Sequence, residues 1–239
     1  FIKTGEIKMK NNLTEKDIKT INKWAEKYDI KELKINDEKI LNLKQLCIFN
    51  TNIKYIPAAI FKITNLKSLS IYCNNLNRLP KEIGNLIKLK ELDIISRCLI
   101  ELPKEIGNLS NIKKLFIYCE NLKQLPKEIG NLSNLKKLYI YCENLKSLPN
   151  EIERLTNLES IHIECENLKQ LPKEIHNLIK LKRFDIDCPN SENFPDGIAK
   201  LINLETIYIR NCNGKLNLQY LIGGIVKLNN LKSLYIDIE

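Results

Sequence analysis

The sequence predicts an α/β solenoid, a parallel sheet of about ten strands backed by short helical or 3-10 turns. Three observations predict it. Pro57, Pro80, Pro103, Pro126, Pro149, Pro172 and Pro195, seven of the eight prolines, follow one another at steps of 23 residues. The unit between them, clearest as LPKEIGNLSNLKKLYIYCENLKS from Leu125 to Ser147, holds an L-x-x-L-x-I core that alternates like a strand with one buried face. First-leucine positions Leu43, Leu66, Leu89, Ile112, Leu135, Leu158, Leu181 and Leu204 keep the same step without a slip.

Composition bounds the rest. With 239 residues, 44% of them hydrophobic, the chain is long and apolar enough to bury a core and is not disordered. No uninterrupted apolar run reaches the roughly 18–20 residues of a membrane-spanning helix. The opening FIKTGEIKMKNNL starts at Phe1, not Met, and holds no secretory signal, so the sequence reads as a trimmed or processed product.

Residues 1–29 read as an amino-terminal capping region. Thr14-x-x-Asp17 has the form of a capping box, and Ile18, Ile21, Ala25 and Tyr28 recur at helical spacing with Trp24 beside them. The solenoid then spans 30–239. Its first turn, on Ile30, Leu33, Ile35 and Ile40, repeats the strand pattern only 13 residues before Leu43, which leaves no room for a convex segment. In the regular units, Pro opens and Gly closes a single helical or 3-10 turn. That turn points Ile83, Ile106, Ile129, Ile152 and Ile175 inward, with Leu86, Leu109, Leu132, Leu155 and Leu178 as second anchors. At the far end Leu231, Leu234 and Ile236 follow Leu204 by 27 residues through NGKLNLQYLIGGIVKL, so the last repeat, 204–239, is atypical and is expected to cap the core.

The phrase LPKEIGNL-x-N-L-x-x-L resembles the 23-residue class of leucine-rich repeat proteins found in many bacteria and in plant Ras-group relatives. The resemblance implies a curved solenoid with the parallel sheet on its concave face and the helical turns on its convex side. It says little about function. Where the family usually places Asn or Cys after the strand, this chain has Glu120, Glu143 and Glu166. Asn stands one residue later, at Asn52, Asn75, Asn121, Asn144, Asn167, Asn190 and Asn213, and is expected to be a buried amide bonded to the backbone of neighbouring turns.

Cys73, Cys119, Cys142, Cys165 and Cys188 share one inward slot and read as small buried hydrophobes. A spacing of 23 offers no C-x2-C pair, and His162 and His176 form no ligand motif, so neither a metal nor a cofactor is expected. Reduced thiols suit a reducing compartment, which points to the cytoplasm of the producing or a host cell, with secretion or surface display open. Cys47, Cys98 and Cys212 lie outside the slot and are left open to pairing or reaction.

The outward strand slots begin at Lys34 and Asn36 and gather most of the aromatic residues. Phe49, Tyr72, Ile95, Phe116, Tyr118, Tyr139 and Tyr141 form an apolar zone, which gives way to His162, Glu164, Asp185 and Asp187. An aromatic centre beside a charged margin has the composition of a protein-binding surface. Against this stands the strand propensity of Tyr and Phe, which stack to shield a sheet without any ligand.

The net charge of +9 comes from lysine columns that recur with the repeat, so solvated edges explain it better than nucleic acid does. There is no Gly-rich phosphate loop, no G-x-S-x-G and no H-E-x-x-H, and no enzymatic activity is expected of this stretch. The expected partner is another protein or peptide, held by a monomer that inserts in no membrane. The bacterial resemblance also implies a second reading, the substrate-recognition part of a larger secreted, virulence-associated effector enzyme.

Overall fold

A computed structural model describes residues 13–34, 37–191, 196–210 and 223–237. After helix α1 (Glu15–Tyr28), a 3-10 turn (Lys31–Leu33) and helix α2 (Asp37–Asn42), the chain lays down its strands in order. They are β1 (Gln45–Phe49), β2 (Ser68–Tyr72), β3 (Glu91–Ile95), β4 (Lys114–Tyr118), β5 (Lys137–Tyr141), β6 (Ser160–Glu164), β7 (Arg183–Asp187), β8 (Thr206–Arg210) and β9 (Ser233–Ile236). All pair in parallel with their sequence neighbours, giving one sheet in the order β1 to β9. Registers such as Leu115↔Leu138 and Phe116↔Tyr139 carry each repeat slot onto the same slot of the next turn. A sequence column is therefore a spatial column.

Nine strands stand among the described residues, one fewer than the ten expected. The pattern at Ile30 and Leu33 belongs to the turn out of α1: Asp29 adopts φ 56, the Ile30 N–H donates to Ala25 O at 2.9 Å, and Leu33 N–H donates back to Ile30 O. Both side chains are buried, so the apolar pattern is real while the backbone turns instead of extending. Lys34 caps that 3-10 turn, and Ile35 and Asn36 lie outside the described residues.

The capping box of α1 forms reciprocally, Thr14 N–H to Asp17 Oδ2 at 2.8 Å and Asp17 N–H to Thr14 Oγ1 at 3.2 Å. Ile18, Ile21, Trp24 and Ala25 are buried. Trp24 Nε1 donates to Tyr55 O and Lys62 pairs with Asp17, which ties the helix to the convex turn at Ala58–Lys62.

Each later convex turn is a five-residue 3-10 segment, among them Lys81–Asn85, Lys104–Asn108, Lys127–Asn131, Asn150–Arg154 and Lys173–Asn177. Pro stands one residue ahead of the expected first turn, at the N-cap, where its carbonyl accepts from the inward isoleucine, as Ile129 N–H to Pro126 O at 3.0 Å. Gly does not close these turns. It lies inside them, no described glycine has positive φ, and the cap falls on leucine, as at Leu132. The reason for glycine is proximity: a Cβ on Gly130 would lie 2.3 Å from Glu151 O of the next turn.

The isoleucine and leucine columns fill the space between the two layers at zero exposure over most of their length. At the far end β9 joins β8 in register across the 27-residue step. There Leu234, in a column buried elsewhere, is 46% exposed. Pro195, Cys212, Asn213 and most of the irregular segment before β9 lie outside the described residues.

Candidate functional site

The concave face is built by the outward slots of β1 to β9, and its middle is aromatic. Phe116 on β4 lies between the rings of Tyr139 and Tyr141 on β5, with centroids 6.2 and 5.3 Å away. Tyr118 stacks on Tyr141 at 6.0 Å, and Tyr141 stacks on His162 of β6 at 4.7 Å. Tyr118 is 38% exposed, while the other three aromatics are half-buried by one another. Phe49, 71% exposed, meets Tyr72 edge-on at 6.4 Å, and Ile95 pairs in register with Tyr72 and Tyr118. The structure thus brings together all seven apolar residues of the expected zone as one ribbon over five strands.

The polar side of the site is more internally committed than the sequence suggested. His162 and Asp185 are only 8% and 4% exposed. Asp185 accepts from three side chains: His162 Nδ1 at 3.0 Å, Arg183 Nη2 at 3.1 Å and Arg210 Nη2 at 2.9 Å. Burial by itself would raise the Asp185 carboxyl, but these bonds and charges outweigh it and hold the carboxyl below the usual Asp range. Asp187 lies 3.9 Å from Arg210 Nε, and Arg183 covers the ring of Tyr208 at 4.8 Å. Of the four expected polar residues only Glu164, its side chain 53% exposed, stands fully on the surface, 3.7 Å from His162 Nε2. Tyr141, flanked by Glu164 and Asp185, has its phenol pushed up, first by burial and then by those carboxylates.

Arg183 was the residue the outward columns missed, because it opens β7 one slot before the buried pair. Its place two residues before Asp185 puts it on the same strand face, a signal readable in the sequence. Toward the other end, Asp93 pairs with Lys114 and accepts from Ser70, and Arg97 pairs with Glu120.

The inward thiols Cys73, Cys119, Cys142 and Cys165 are buried and free, Cys188 is buried in the same column, and Cys47 and Cys98 are free and half-buried. Among the described residues no group of three His, Cys, Asp or Glu side chains is placed to hold a metal ion. No described helix is long and apolar enough to cross a membrane. Four asparagines of the column form the expected rungs, Asn121 to Arg97 O, Asn144 to Glu120 O, Asn167 to Glu143 O and Asn190 to Glu166 O, at 2.8–3.0 Å. These amides are exposed or half-buried, not buried, because they sit on the turn outside the sheet.

Register, repeat length and an open parallel sheet define a solenoid of leucine-rich repeats. Residues 20–146 and 127–239 match the family described as a leucine-rich repeat region, and the chain belongs to that family. Among solved structures it is similar to the leucine-rich repeat domain of the type III effector XopL, at 26% identity and a TM-score of 0.72, covering 85% of this chain and 72% of that one. It also matches the leucine-rich repeat protein LIC12759 of Leptospira interrogans at 27% identity and a TM-score of 0.41, covering 85% and 70%. A comparison with curated proteins finds no match.

Proposed function

We propose that the solenoid is a protein-interaction module that takes its partner on the concave face, with Phe116, Tyr118, Tyr139 and Tyr141 as anchors. Leucine-rich repeat domains are in general protein-binding and typically carry no catalysis, and this supports the class of function. The observation that carries the site is the stacked aromatic cluster on β4 and β5, open to solvent at Tyr118. Stacking alone shields part of each ring. Yet the ribbon continues through Ile95 and Tyr72 to Phe49, and Phe49 and Tyr118 leave their rings open to solvent. In this reading Glu164 and Asp187 form the polar margin, while His162 and Asp185 hold Tyr141 and the arginines in place.

The test is affinity capture with the intact protein and with a Tyr118→Asp, Tyr141→Asp variant, both checked for folding by circular dichroism. A partner retained by the intact protein and lost by the variant is the expected result. Equal capture by a folded variant overturns the site.

A second reading rests on the likeness to a domain of an effector: these repeats are the recognition part of a larger effector enzyme. Sequencing the full reading frame decides it, since a frame that adds no further domain before Phe1 or after Glu239 removes the idea.

A further inference from the structure

Parallel order gives the concave face a polarity that no single repeat shows. Because every strand runs the same way, residues at the strand starts line one rim of the sheet and residues past the strand ends line the other. Over β4 and β5 the first rim is basic, with Lys113, Lys114, Lys136 and Lys137, and at β6 the same slots hold Glu159 and Ser160. The opposite rim is acidic, with Glu120, Glu143, Glu164 and Glu166. Some of these charges are answered locally: Lys114 by Asp93, Lys136 by Glu159 and Glu120 by Arg97. Lys113 and Lys137 on one side and Glu143 and Glu166 on the other are exposed and make no ion pair with a described residue. The aromatic cluster lies on the same strands, between the two rims.

The dimensions select a shape. At about 3.3 Å per residue, Lys114 and Glu120 stand roughly 15–20 Å apart, a gap that admits a helix about 10–12 Å across with its side chains. A helix laid across the strands presents one turn every 5.4 Å to strands about 4.8 Å apart, so its register drifts by only about 1 Å over three strands.

We infer that the partner of the concave face is an amphipathic helix whose apolar stripe is flanked by acidic side chains on one side and basic side chains on the other. The inference rests on the concave-face reading above and adds the charge order and the direction. Acidic residues of the helix lie over the lysine rim and basic residues over the glutamate rim. Reversing the helix would set like charges against like on both rims, so the rims fix which way the helix runs.

Two lactam-bridged helical peptides of identical composition test this, both with a Leu/Trp stripe. One carries all its Glu on one flank and all its Lys on the other; the second mixes both on each flank. Binding is read by fluorescence anisotropy. The segregated peptide is expected to bind about tenfold more tightly than the mixed one, from a few rim pairs of modest individual strength, and to lose that advantage in about 0.5 M salt. A Lys113→Glu, Lys137→Glu variant, folded by circular dichroism, should lose the preference. Equal affinities for the two peptides, no binding by either, or a preference that survives in that variant overturns the inference. If both peptides bind equally and Tyr118→Asp, Tyr141→Asp abolishes binding, the concave-face reading stands without the charge order. Binding untouched by the tyrosine changes overturns the concave-face reading itself.

Discussion

His162 Nδ1 lies 3.0 Å from Asp185 Oδ2 on the next strand, and this contact joins the aromatic half of the concave face to its arginine half. An ionised carboxylate accepts only, so Nδ1 carries the proton. Nε2 then faces Glu164 at 3.7 Å and has no hydrogen-bond partner among the described residues. Tyr141 lies flat on this imidazole, so the carboxylate sets the ring and the ring supports the tyrosine.

Asp185→Asn keeps the shape and removes the charge shared by His162, Arg183 and Arg210. Loss of one partner of a fully buried pair costs about 3–5 kcal/mol. Here the arginine side chains are 49% and 35% exposed, and water screens what is left, so a loss of about 1–2 kcal/mol is expected in urea unfolding. The pH dependence has a fixed sign. A carboxyl held low in the fold stabilises above its unfolded value and loses that contribution as the pH falls through its folded value. The gap between wild type and variant should therefore be full at pH 7 and shrink below about pH 4. Equal unfolding midpoints at pH 7 would remove the carboxylate's role.

The buried thiols are predicted to be chemically silent. Burial pushes Cys73 up to about 11 and Cys119 up to about 12, and pushes Cys142 and Cys165 up as well. Since the thiolate is the nucleophile, pulse labelling with iodoacetamide at pH 8 should mark Cys98 first and Cys47, whose thiol burial also pushes up, more slowly, while leaving the column unmarked until the protein unfolds. Mass spectrometry of the digest checks this residue by residue. Native-state labelling of Cys119 at the rate of Cys98 would contradict a closed core.

A second asparagine column lies at the other end of each strand, in the N-L-x-x-L phrase. Asn65, Asn111, Asn134, Asn157, Asn203 and Asn230 each donate to a carbonyl of the preceding turn at 2.7–2.9 Å. Lysine takes the slot twice, and Lys88 and Lys180 reach the amide oxygens of Asn65 and Asn157 instead. Asn134→Ala is expected to cost about 0.5–1 kcal/mol, because the exposed carbonyl of Ser110 regains water. An unchanged urea midpoint would show that the rung contributes nothing.

The repeat made the sheet readable, because a strict step of 23 residues in parallel strands turns sequence columns into spatial ones. It also placed the aromatic ribbon, from Phe49 to Tyr141. Three things escaped it for physical reasons. Ile30 and Leu33 are buried by a turn as effectively as by a strand, so their apolarity does not report backbone extension. Asp185 faces outward yet is covered, because long side chains from Arg183 and Arg210 fold over it. Gly107 and Gly130 looked like turn endings, whereas what demands them is the distance to the next turn.

That last contact makes the sharpest stability prediction. Gly130 faces Glu151 of the next turn, as Gly84 faces Glu105 and Gly107 faces Glu128. Between the last two 3-10 turns the arrangement is inverted: His176 occupies the Gly130 slot, and Gly197 lies opposite, where a Cβ would meet His176 Cβ at 2.6 Å. Two other pairs of neighbouring turns carry a side chain in both slots, Phe61 with Glu82 and Glu153 with Glu174, so the close approach belongs to the glycine-bearing pairs and not to every turn. Gly130→Ala should cost about 1–3 kcal/mol, because its Cβ has to displace a backbone oxygen 2.3 Å away. Glu151→Gly alone should cost about 0.5–1 kcal/mol in backbone entropy. Glu151 Cβ, 2.8 Å away, is the second clash, so the double variant is relieved of that part alone and keeps the clash with the backbone oxygen, and the coupling in a double-mutant cycle is expected to stay below about 0.5 kcal/mol. A Gly130→Ala protein with the wild-type urea midpoint would show that the next turn leaves room for a Cβ, and the stacking account would fall.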